Sequence, residues 1–152
     1  MAKMGLSVKD DPRKVVDITG RQWGEPVEGL ALSVMLRVKE DPDELPAISV
    51  AIQNTGTSIQ RLTTRGWLHF FQVSLTDSAG AAAGLTSYGS ELMKPERMQT
   101  ASEIVLAPGQ AIEADIPIGS IYQMRKGQYR VQASCETPSG GRASSNMLTI
   151  TS

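Results

Sequence analysis

The chain has 152 residues, 15 basic and 16 acidic side chains for a net charge of −1, and 40% hydrophobic residues. A domain of this length buries roughly 70% of its unfolded surface and needs neither metal nor disulfide to hold together. The even charge balance, the absence of any apolar stretch near the ~20 residues of a membrane span and the single Cys135 exclude an electrostatic nucleic-acid binder, a helical membrane span and a stapled mini-domain.

Residues 1–28 read as an N-terminal arm. Met1-Ala2-Lys3-Met4-Gly5 opens it without an apolar h-region, so no signal peptide is expected in this chain. Lys9-Asp10-Asp11-Pro12-Arg13 is polar and broken by proline, and Gly24-Glu25-Pro26 breaks regularity again. Between them Val15-Val16-Asp17-Ile18-Thr19 is β-leaning and more apolar than a linker requires. It is expected to add as a strand to a sheet edge, its own or a neighbour's.

The remainder, 29–152, alternates apolar and polar residues in short runs split by Gly, Pro, Asn and Asp. Side chains on a strand point to opposite faces with a period of two, so each run predicts a half-buried strand. The first runs from Leu30 to Val38, with Leu30, Leu32, Val34, Leu36 and Val38 inward. A charged loop carrying Pro42 and Pro46 follows, then a strand over 48–53 that ends at Asn54-Thr55-Gly56. Thr57 to Gly66 is read as irregular connection. A strand from Trp67 to Thr76 puts Trp67, His69, Phe71, Val73 and Leu75 on the core face, with Trp67 plugging the end of the sandwich.

Ala81 to Tyr88 reads as a weak edge strand, and Pro95 limits Leu92 to Met98 to about one helical turn. Ile104 and Leu106 mark the next strand. Ala107-Pro108-Gly109-Gln110 then predicts a type II turn. Ile112, Ala114, Ile116 and Ile118 point inward on the strand after it. The clearest run is Gly127 to Cys135, where Tyr129, Val131, Ala133 and Cys135 alternate with Gln128, Arg130, Gln132 and Ser134 without exception. A last strand occupies 146–151. Seven or eight strands with regular turn signals predict an all-β, antiparallel Greek-key sandwich.

Leu106-Ala107-Pro108-Gly109, Gly127-x-Tyr129-x-Val131-x-Ala133 and Ser145-Asn146-x-Leu148-x-Ile150 together resemble bacterial immunoglobulin-like domains of the fibronectin III and proteinase-inhibitor-like kind. Trp23-Gly24-Glu25-Pro26-Val27-x-Gly29-Leu30 resembles the lead-in to the first strand of secreted members, and the similarity spans residues 23–152. The resemblance implies an immunoglobulin-like sandwich in which Tyr129 forms a tyrosine corner. It also implies an extracytoplasmic setting, and a proteinase inhibitor presenting an end loop as one activity. Its motifs specify backbone and packing rather than chemistry.

Little in the chain assembles a reactive centre. His69 and Cys135 are the only members of a conceivable Cys–His dyad, but both fall on inferred core faces, whereas a nucleophile needs an exposed, electropositive seat. One cysteine and one histidine cannot supply a structural zinc site. Asp41-Pro42-Asp43-Glu44 is the one calcium candidate, and it reads better as a solvated loop. Leu68 and Phe70, opposite Phe71, are expected either to be covered by the arm or the 88–98 excursion, or to form a sticky patch. Met93, Met98 and Met124 read as loose core filling. No catalytic, metal or cofactor residues are therefore assigned, and the chain is not expected to be an enzyme. The expected function is a non-catalytic binding or structural module with a protein or cell-surface partner. A proteinase inhibitor and a subunit that self-associates through its arm are the alternatives.

Overall fold

A computed structural model of the chain describes residues 18–152. Val15, Val16 and Asp17 of the expected arm strand lie outside that range. Ile18 and Thr19 lie within it and enter a turn, closed by the Arg21 N–H on the Ile18 carbonyl at 3.3 Å. The described residues are all-β and antiparallel. In chain order the strands are β1 (Leu30–Leu36), β2 (Ile48–Asn54), β3 (Gln60–Thr64), β4 (Gln72–Asp77), β5 (Ser102–Leu106), β6 (Ala111–Ile116), β7 (Gln128–Glu136), β8 (Arg142–Ser144) and β9 (Leu148–Thr151). Three short helices, α1 (Trp67–Phe70), α2 (Ser87–Leu92) and α3 (Ile118–Ile121), and a 3-10 turn at Pro95–Arg97 lie between them.

One sheet has the order β1-β2-β6, and β3 pairs with β5 in a separate ribbon. In the third sheet β4 flanks one side of β7, while β8 and then β9 share the other. β1 packs against β7, β8 and β9, so the first and third sheets lie face to face. Leu32, Val34, Val50 and Ile52 from one side and Val131, Ala133 and Cys135 from the other fill a single sandwich-like core. The alternation in β7 has the expected phase, with Tyr129, Val131, Ala133 and Cys135 all buried. The Tyr129 hydroxyl accepts the Arg125 N–H at 2.7 Å, which gives the buried ring its polar partner. The turn after β5 also forms as expected, with Gln110 N–H on the Ala107 carbonyl at 2.9 Å and Gly109 at φ 82°.

Several strand limits differ from expectation. β1 stops at Leu36, because its partner β2 begins at Ile48 directly opposite; Leu36 and Val38 are 44% and 86% exposed rather than inward. The expected irregular stretch 57–66 contains β3, which buries Leu62 and Thr64 and leaves Arg61 and Thr63 outside. Trp67 to Phe70 is a helical turn, so the strand expected over 67–76 is confined to β4. Ala81 to Tyr88 makes only isolated bridges, Ala82 to Thr76 and Leu85 to Tyr122, before α2 begins. Ile118 is buried as expected but belongs to α3, beyond the end of β6.

The expected strand 146–151 is broken as well. Ser145 N–H bonds the Ala133 carbonyl and Ser145 Oγ accepts the Ala133 N–H, each at about 2.9 Å, so a side chain takes the place of one ladder group. Asn146 leaves β7 altogether. Its carboxamide accepts the Val34 N–H at 2.9 Å and donates to the Val34 carbonyl at 3.1 Å, as a neighbouring strand would. With Gly24 N–H on the Leu32 carbonyl at 2.9 Å, it occupies polar groups on the outer edge of β1 that would otherwise stay unpaired.

The residues just before β1 are fastened to the sandwich. Glu28 and Gly29, at φ 53° and 79°, form a two-residue reversal of the hairpin-favoured hand, with Val27 and Leu30 exchanging both backbone bonds. A non-glycine residue there costs roughly 1–2 kcal/mol. The Glu28 carboxylate compensates by accepting from Thr137 Oγ at 2.5 Å and from Ser139 Oγ across the 137–141 turn. Earlier still, Arg21 lies flat on the outer face of β1-β2-β6 with its side chain only 2% exposed. Its guanidinium donates to Ser33 Oγ at 3.1 Å, to the Ser49 carbonyl at 2.9 Å and to Glu113 at 3.5 Å. Burial pulls Arg21 below its ordinary value, and Glu113 and Asp115 oppose that pull.

Candidate functional site

The strongest candidate site is a cleft of about 450 Å³ at one end of the sandwich. That volume falls within the ~300–1,000 Å³ of small-molecule sites. It is lined by Arg65 to His69, by Tyr88 and Leu92 of α2, by Arg97 and Gln99 and by Asp115 and Pro117.

Two glycines set the walls. Gly66 sits at φ 107°, a region that side chains avoid, and there the chain turns from β3 into α1. Its N–H bonds Thr64 Oγ at 3.1 Å, and its carbonyl receives the His69 and Phe70 N–H groups. Gln99 N–H bonds the Arg65 carbonyl at 3.0 Å and ties the two segments together directly. In α2, a Cβ on Gly89 would stand 2.1 Å from the Ile121 carbonyl oxygen, so only glycine lets α2 reach α3. Thr86 caps that helix by accepting the Gly89 N–H at 2.9 Å and also donates to the Ser120 carbonyl. This close seat positions Tyr88, one residue away.

An aromatic cluster lies behind the cleft, and Trp67 is its member in the lining. Trp67 stacks on Phe71 with ring centroids 5.3 Å apart and meets Phe70 edge-on at 5.6 Å. These rings sit at i, i+3 and i+4, the spacing that puts residues on one face of a helical turn. Trp67 does reach the core, as expected, though from a helix. Its indole Nε1 is buried without a hydrogen-bond partner, at a cost of roughly 1–3 kcal/mol. Leu68 is half-buried, lines the cleft and packs against the core, as does Phe70 outside the cleft lining. Neither forms an open patch. Met93 and Met124 also pack on the core, while Met98 stays 43% exposed.

The charges are unevenly matched. Asp115 pairs with Arg37 outside the cleft. Arg97 gives Nε and one Nη to Glu91 at 3.0 and 2.9 Å, and Glu91 takes Lys94 as well, which holds its carboxyl below the usual range. Arg65 makes no ion pair among the described residues. Among the described residues the cleft therefore carries one guanidinium without an ion pair, beside its apolar lining.

The residues weighed from sequence do not assemble elsewhere. His69 opens on the cleft, whereas Cys135 is fully buried in the core and no hydrogen bond joins them. Burial pushes the Cys135 thiol up to about 11, with Arg142 opposing weakly. In the 40–46 loop the Glu44 carboxylate accepts the Glu40 and Asp41 N–H groups, and Asp41 accepts from Asp43, so these oxygens serve the loop itself. Among the described residues no three His, Cys, Asp or Glu side chains converge, and no helix is long and apolar enough to cross a membrane.

No family model and no curated protein matches this chain. Two solved structures are similar in architecture. A Bordetella pertussis protein with a provisional ApaA assignment is 18% identical over 86% of this chain and 95% of its own, with a TM-score of 0.43. The structural-genomics target SoR45 is 13% identical over 84% and 90%, also at 0.43. Both are remote likenesses, and neither brings a residue role to the cleft.

Proposed function

We propose that this chain is a non-catalytic binding module of the bacterial immunoglobulin-like kind, working outside the cytoplasm and seating its ligand in the end cleft. The observation that carries the reading is the preformed cleft itself, with glycine-set walls and Trp67, Leu68 and Leu92 in its lining. Binding sites of this form need few polar groups, provided those present are well placed. The strand order β1-β2-β6 against β4-β7 and the Tyr129 corner support the family. Screening a small-molecule and peptide library by amide NMR tests the reading. Ligands should move Gly66, Leu68, Leu92 and Gln99 together. A library that leaves all four in place sinks it.

One observation favours an inhibitor instead. The 40–46 loop is braced by its own carboxylates and holds Leu45 60% exposed, the form a protease-facing loop takes. A protease panel decides this second reading, which fails if no enzyme is slowed by stoichiometric protein.

A further inference from the structure

Resting on the cleft as the binding site, we propose that its ligand is an apolar carboxylate: a flat or branched hydrocarbon body ending in one carboxylate group. The apolar lining asks for the body. Trp67, Leu68, Leu92 and Pro117 present hydrocarbon, and Tyr88, 56% exposed, offers a ring face beside them. The guanidinium groups ask for the charge. Among the described residues Arg65 has no carboxylate partner, and Arg97 gives only Nε and Nη2 to Glu91, with no bond from Nη1. A guanidinium fork matches a carboxylate with two parallel N–H bonds.

The same features argue against other ligand classes. A cation would need the cleft's one acid, but Asp115 is already held by Arg37. A phosphate or polyanion would want several donors converging in a polar seat, whereas the cleft has an apolar lining and, among the described residues, a single cation without an ion pair. A fully neutral apolar ligand would leave Arg65 partly desolvated with nothing gained in return.

The carboxylate has two sources that the fold alone does not separate, a free acid and the C-terminus of a peptide ending on an apolar residue. Four probes separate them: 3-phenylpropionate, its neutral amide, a hexapeptide ending in Phe with a free carboxylate, and the same peptide amidated. Each is titrated into the full chain while the amide signals of Gly66 and Gln99 and the indole N–H of Trp67 are followed. The acids should bind saturably and about tenfold tighter than their amides. Arg65→Gln should remove that tenfold preference, while Arg61→Gln, whose parent residue pairs with Glu103 outside the cleft, should leave it intact. Tighter binding of the free peptide assigns the source to a chain terminus; tighter binding of phenylpropionate assigns it to a small acid. If acid and amide bind the cleft equally, or Arg65→Gln retains the preference, the carboxylate inference is overturned and the cleft reading survives. If none of the four moves the cleft signals, the inference is overturned too, and the library screen then decides the cleft reading separately.

Discussion

Strand β7 buries every second residue for its whole length, whereas residues 65–71 and 86–99 bury Trp67, Phe71 and Gly89 with no period of two. The two regions are held by different physics. β7 sits between β4 and the β8 and β9 pair, so its ladder and its alternation enforce each other. The cleft segment has no such ladder. It is placed by single close approaches, Gly89 against Ile121 and the Gly66 turn against Gln99. A ladder spreads the loss of one contact over many, but a close approach does not. The cleft should therefore be the more easily moved of the two, which suits a region that must admit a ligand.

Asn54 should show the largest effect, because one side chain there satisfies three backbone groups. It is fully buried at the end of β2, donates to the Ser58 and Leu106 carbonyls at 2.7 and 2.9 Å, and accepts the Gly56 N–H at 2.9 Å. Asn54→Ala strands those groups and should cost about 3–4 kcal/mol in urea denaturation. A loss below about 1 kcal/mol would mean that water replaces the amide. Next, Gly89→Ala forces a methyl group into the Ile121 carbonyl and should cost about 2 kcal/mol. Its sharper signature is local: Tyr88 and Leu92 signals should shift while those of β7 stay fixed. Equal shifts in both would erase the contrast between the regions.

Within the ladder, Tyr129→Phe removes only the bond to Arg125 N–H and should cost about 1 kcal/mol, with an unchanged core. Equal melting midpoints would show that the hydroxyl contributes nothing. The smallest effect is expected at Glu28, whose exposed carboxyl is held below its ordinary value chiefly by Ser139 and Thr137. A depressed folded value stabilises above the unfolded value and fades as pH falls through the folded one. Glu28→Gln should therefore lower stability slightly at neutral pH, flatten the acid limb and match the parent protein at the lowest pH. An unchanged acid limb would remove Glu28 from the account.

The sandwich was legible because its signal is periodic. Tyr129 to Cys135 and the 107–110 turn fix register and reversal from neighbouring residues alone. β3 escaped because Leu62 is its only apolar member, so five residues of a paired strand look like linker. Trp67 to Phe70 was misread for the opposite reason, since a run of apolar residues satisfies both periods. The i, i+3, i+4 spacing of Trp67, Phe70 and Phe71, following a glycine, was the available clue. Arg65, Tyr88 and Gln99 left no such clue. They share a cleft only because α2 docks on α3 and the 3-10 turn folds back, and both events depend on distant partners.

The Asn146 carboxamide also has a mechanical meaning. Tension entering upstream reaches the first sheet through Arg21 and Gly24, and tension entering downstream reaches the third sheet through β9. Load must then pass from one sheet to the other. Apart from the packed core, the Asn146 clip on Val34 is a hydrogen-bonded crossing between them. The Glu28 carboxylate on Thr137 and Ser139 is a second such crossing, so load is shared between two small polar clips, one just before β1 and one within it, rather than carried by a continuous ladder.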